Sequence, residues 1–194
     1  MTFLKKYAII IAMAVLAVLA IIAAANVEHA STSHEPPKLS HSLIEHYGGT
    51  FPRPDAAEQP ELDKTYKVIF DVVSPVKDAT KPHGGLERVA RAVNIFGDAG
   101  VPLDHLDFVV IVHSKAAPSI FNADTYEARE GAKNPNTGLI KALTDAGIKV
   151  IVCGQTLNHL RLDDDQIDSN VIIAPAALST LAIYGNKGYA YEQL

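Results

Sequence analysis

Two runs in this chain, residues 108–112 (Phe-Val-Val-Ile-Val) and 148–153 (Ile-Lys-Val-Ile-Val-Cys), are almost wholly apolar and show no polar alternation. A strand with one wet face alternates, so unbroken apolar runs of this length require cover on both faces. Covered parallel strands need helical crossovers, and the intervening sequence has them. Leu86, Val89, Ala90, Val93 and Phe96 recur at helical spacing behind Gly84-Gly85, with Gly97 and Gly100 marking the stop. Leu139, Ile140 and Leu143 follow a capping Asn136 or Thr137 and end at Gly147. Residues 66–73 and 171–174 read as further strands. Pro175 then opens a helix with Ala177, Leu178, Leu181 and Ala182 on its apolar face, and Tyr189 and Tyr191 alternate in a short last strand. Residues 114–135 are the least regular part. The order strand–helix repeated to a fifth strand predicts an α/β fold: a flavodoxin-like, three-layer, doubly wound and mostly parallel five-stranded sheet.

Ahead of this domain the sequence changes character twice. Lys5 and Lys6 precede an uninterrupted apolar stretch, residues 8–25, with Ala23 and Ala25 in a small-x-small arrangement. These are the parts of an export signal, and the length also meets the short end of a membrane span. Residues 1–25 are therefore expected to be a signal peptide or an N-terminal membrane anchor, with the remainder periplasmic or extracytoplasmic. Residues 26–64 carry Pro36, Pro37, Pro52, Pro54 and Pro60 and no sustained apolar period, as in a Pro/His-rich linker. Leu43, Ile44 and Tyr47 within it could form a turn that docks on the domain, which is expected to begin near residue 65. His29, His34, His41 and His46 match no compact ligand spacing, so no metal site is assigned.

A net charge of −5 without a basic stripe argues against a nucleic-acid partner. Cys153 is the single cysteine, which excludes an internal disulfide and any Cys-x-x-Cys redox pair. No Gly-rich phosphate loop and no G-x-S-x-G elbow is present, and no cofactor is implied.

Open α/β sheets bind ligands outside the carboxyl ends of their strands. The residues just past those ends include His113 and Cys153, which should share one edge. Behind Cys153 come Gly154, Gln155 and Asn158, where a strand turns through glycine into a short helix. Backbone N–H groups there favour a thiolate, Gly154 allows close approach, and His113 could shuttle a proton. Gln155, Asn158 and Asn94 are amides that could line the pocket. The competing reading of Cys153 is a small buried hydrophobe.

Several of these pieces occur together elsewhere: Gly85-Leu86 with Val93-Asn94, the strand ending at His113, Asn134-Pro135-Asn136, the stretch 152–157 and the closing 188–191. In this order they make residues 66–194 resemble the DsrE/DsrF-like family of sulfur-relay proteins. The resemblance implies a flavodoxin-like fold and homo-oligomers, often trimers or hexamers. It also implies a cysteine, here Cys153, that carries sulfane sulfur as a persulfide and passes it to a thiol-bearing partner. His113 matches a recurrent histidine. The best-known members are cytoplasmic, whereas the N-terminal segment here points outward, and position 114 is Ser where glycine is more usual. The expectation is thus an exported relative, at most a sulfur carrier. The alternative is a non-catalytic oligomeric module that binds a ligand or organises a complex.

Overall fold

The computed structural model describes residues 38–194 together with position 17, so most of the apolar segment 8–25, and His29 and His34, lie outside the described residues. Among the described residues no helix is long and apolar enough to cross a membrane. Residues 39–194 form one unit. Its five strands are β1 (Tyr66–Val72), β2 (Leu106–Val112), β3 (Lys149–Cys153), β4 (Ile172–Ala174) and β5 (Ala190–Gln193). They lie in the order β4-β3-β2-β1-β5, and every pairing is parallel, so the expected flavodoxin-like sheet is present without the antiparallel member that "mostly" allowed.

That order dictates where the helices go. From β1 to β4 the chain steps across the sheet in one direction, and right-handed crossovers put every connection on the same face. The helices concerned are α1 (Gly84–Asp98), α2 (Ala123–Glu130), α3 (Thr137–Asp145) and α4 (Gly154–Leu160). Their apolar residues Val89, Val93, Leu139, Leu143 and Leu157 join Phe70, Phe108, Val110 and Val152 in the larger core. From β4 the chain must return across the whole sheet to reach β5 beside β1. The same handedness then places the last helix, α5 (Ala177–Asn186), on the opposite face. There Ala177, Leu181 and Tyr184 cover Ile69, Val109, Ile111 and Ile151. Among the described residues, one face carries four α-helices and the other carries one.

The region 114–135, expected to be irregular, is mostly helical: a 3-10 helix at Ser114–Ile120 and then α2. The Asn122 side chain caps α2 by accepting from the Thr125 N–H at 2.8 Å, and Gly131 closes it at φ +72°. Only Thr125 and Tyr126 of α2 are buried, so the apolar period is too sparse to read.

Residues 39–64 are not a free spacer, and the boundary expected at 65 moves to 39. Ile44 is buried in the larger core, with Leu43 and Tyr47 against it. Asn94, on α1, holds the segment there. Its Oδ1 accepts the Leu43 and Ile44 N–H groups at 2.9 and 2.7 Å. Its Nδ2 donates to the carbonyls of Ile44, Tyr47 and Gly48 at 3.2, 2.9 and 3.1 Å. Gly48 sits at φ +61° so close to α1 that a Cβ would overlap the backbone of Ala90 and Arg91. Thr50 and Ser40 both donate to the Asp98 carboxylate at the end of the same helix.

Replacing Asn94 with Ala strips partners from several buried backbone groups of residues 43–48. The expected cost is about 2–4 kcal/mol in urea unfolding. Proteolysis of the folded variant should begin within residues 39–50, where the wild-type chain resists it.

Candidate functional site

Reversing direction between β4 and β5 has a local consequence at the carboxyl ends of the strands. The turn after β3 leads to α4 on one face, and the turn after β4 leads to α5 on the other. Adjacent strands whose exits diverge leave a crevice between them, the switch point at which such sheets bind ligands. Cys153, the last residue of β3, pairs with Ala174, the last of β4. The single cysteine therefore stands at the switch point.

Its thiol is only 5% exposed and contacts the smaller apolar cluster. Burial pushes its pKa up. Hydrogen bonds from the Thr156 hydroxyl and from the backbone N–H groups of Ala177, Thr156 and Gln155 outweigh it, and hold the thiol below its ordinary value. Three of these donors belong to the start of α4 and the fourth to the start of α5, so groups on both sides of the crevice converge on one sulfur. Gly154 makes that convergence possible. A Cβ there would come within 2.8 Å of the Ala174 carbonyl oxygen. Gln155 Nε2 also donates to the Pro175 carbonyl at 3.2 Å, tying the two turns together.

His113 follows β2, and the register Val112↔Val152 sets it beside Cys153 on the neighbouring strand. Two residues on from Ile111 along extended backbone, it falls on the α5 face, as Cys153 does. The ring is oriented by Asp71, a carboxylate near the end of β1 that is 4% exposed. His113 Nε2 donates to Asp71 Oδ1 at 2.8 Å, and the Tyr191 hydroxyl donates to Oδ2 at 2.7 Å. That hydrogen bond raises the Tyr191 pKa, with burial and the Asp71 charge adding to it. An acceptor fixed on Nε2 keeps the neutral ring's proton there and leaves Nδ1 as the basic atom. Sequence reasoning assigned His113 but neither Asp71 nor Tyr191. The signal was a lone carboxylate inside the apolar run of residues 66–73.

The structure brings Cys153, Gly154 and Gln155 together and sets His113 on the adjacent strand end. It does not bring Asn94, whose amide is spent on residues 43–48. Asn158 is exposed, one turn along α4 and outside the thiol's donor shell. Thr156, passed over in the sequence, joins that shell and also accepts the Ser114 N–H at 3.1 Å. Ser114 adopts φ +55°, a left-handed conformation that glycine takes without strain, which gives the departure from glycine at this position a physical meaning. Among the described residues no group of three or more His, Cys, Asp and Glu is arranged to hold a metal ion. Alongside the shell runs a groove of about 870 Å³ between the 114–120 helix, α2 and α4.

The model of the DsrE/DsrF-like family matches residues 67–191. Among solved structures, MTH1491 from Methanobacterium thermoautotrophicum, a protein of unknown function, is similar at 18% identity and a TM-score of 0.49. The match covers 66% of this chain and 99% of that one. No curated protein matches.

A Gly154→Ala substitution forces the two turns apart and should lower stability by about 1–3 kcal/mol in urea unfolding. Because the folded pKa of Cys153 lies below the unfolded one, the ionised thiol stabilises the native state. That contribution is complete above the ordinary thiol range and is lost as pH falls through the folded value. The stability difference between wild type and Cys153→Ala should therefore widen as pH rises from neutrality. Thr156→Val, lacking one donor, should flatten the trend.

Proposed function

The chain belongs to the DsrE/DsrF-like family, and on that premise we propose that it carries sulfane sulfur as a persulfide on Cys153. The observation that carries the reading is the thiol's setting: four hydrogen-bond donors at the switch point, holding its pKa below the ordinary value against burial. Thiolate is the reactive form toward sulfane sulfur, and the same donors suit a persulfide anion. His113, held by Asp71, supplies a basic nitrogen at the same edge for the proton exchanged when an acceptor thiol takes the outer sulfur. The acceptor in this reading is a thiol-bearing partner protein.

The reading extends to place and assembly. Residues 8–25 with Lys5 and Lys6 support export to the periplasm, either as a signal peptide or as an anchor in the inner membrane. The singly covered sheet face supports a homo-oligomer, since Leu178 (84% exposed), Ile183 and Ile172 are exposed on and beside α5.

A second reading is favoured by the burial of Cys153 in an apolar cluster: an oligomeric module that organises a complex without sulfur chemistry. Full biological function retained by Cys153→Ser would favour it.

Polysulfide treatment should add about 32 Da per sulfur to wild-type protein and nothing to Cys153→Ser, read by intact-mass spectrometry. An unmodified Cys153 under conditions that load a known sulfur carrier overturns the persulfide reading. Asp71→Asn and His113→Gln should load normally but hand sulfur to a thiol acceptor at least about tenfold more slowly.

A further inference from the structure

The groove beside the thiol is far larger than a single sulfur requires. At about 870 Å³ it falls in the range of small-molecule sites, about 300–1,000 Å³. Its wall is mixed in a specific way. Phe121, Pro118 and Leu160 provide apolar surface, while Lys115 and Arg129 provide positive charge against the single carboxylate of Glu130. The Arg129 guanidinium lies 5.9 Å from the centre of the Phe121 ring. Its two terminal nitrogens reach the Leu160 carbonyl only at 3.5 and 3.4 Å, long bonds that leave the remaining donors of the fork for a ligand. An apolar wall beside two cations suits an organic anion. A bare inorganic ion would make no use of the apolar surface.

Ser114, Gln155 and Thr156 also line the groove. Thr156 accepts from the Ser114 N–H and is also among the groups that lower the Cys153 pKa, so one residue borders both the groove and the sulfur. We propose that this groove binds small organic thiols and their persulfides that bear carboxylates, with Lys115 and Arg129 holding the carboxylates. The proposal rests on the sulfur-carrier reading for what happens next. The Cys153 thiolate attacks the outer sulfur of R–S–SH once Thr156 rotates aside. The Sγ–S bond forms as the inner S–S bond breaks, and the electron pair leaves on R–S⁻, which takes a proton from water. The sulfane sulfur changes hosts with no net oxidation or reduction.

The test compares two donors and one inert ligand on the full chain. Glutathione persulfide carries carboxylates, whereas inorganic tetrasulfide does not. In a Lys115→Ala/Arg129→Ala variant, loading of Cys153 from glutathione persulfide should slow about tenfold or more, with loading from tetrasulfide unchanged. S-Methylglutathione should bind the Cys153→Ser protein by calorimetry, and about tenfold more weakly when Lys115 and Arg129 are also replaced. Equal slowing with both donors, unchanged loading from glutathione persulfide, or no binding of S-methylglutathione overturns the groove assignment. If neither donor loads the wild-type protein while S-methylglutathione still binds, the groove stands and the sulfur-carrier reading falls.

Discussion

The structure depends on a single change of direction. Four strands are laid down side by side in one sense, and the fifth is added only after the chain crosses back over the whole sheet. Handedness then leaves no freedom in helix placement, and the two faces become unequal. The crevice between β3 and β4 exists because their exits part company. Cys153 acquires its donors because two turns bound for opposite faces must begin side by side.

Polar groups in this protein are placed with the same economy. The buried Asp71 carboxylate has both oxygens occupied, one by His113 and one by Tyr191. Asn94 uses one amide to satisfy backbone groups from four residues of the 43–48 segment. Both are buried polar groups that fix geometry, yet only Asp71 does so at the ligand edge. The inequality of the faces separates these roles, since Asn94 faces the segment laid over α1 and Asp71 faces the thinly covered side.

Legibility in the sequence followed the range of the interactions. Residues 108–112 and 148–153 could be read as central strands because cover on both faces leaves a direct compositional trace. The shared edge of His113 and Cys153 also followed, since both lie just where a strand ends. Asn94 carries no such trace, because an amide on an amphipathic helix looks the same whether it serves a ligand or a distant loop, and its partners lie about fifty residues away. Residues 39–64 lacked a period because they are held by backbone hydrogen bonds to side chains, with only Ile44, Leu43 and Tyr47 as apolar anchors. Docking at those three positions was nonetheless visible. The pairing of Asp71 with His113 joins different strands, and no local pattern announces it.

Gly154 lets the turn after β3 lie against the turn after β4, and Gln155 fastens the two by its bond to the Pro175 carbonyl. The acidity of Cys153 is therefore a tertiary property, since one of its donors, the Ala177 N–H, arrives 24 residues later in the chain. In any state where the final helix has come away, the sulfur loses the Ala177 N–H and keeps only the donors of α4. The full set of donors is assembled only on completion of the fold, so the acidity of this thiol keeps time with folding.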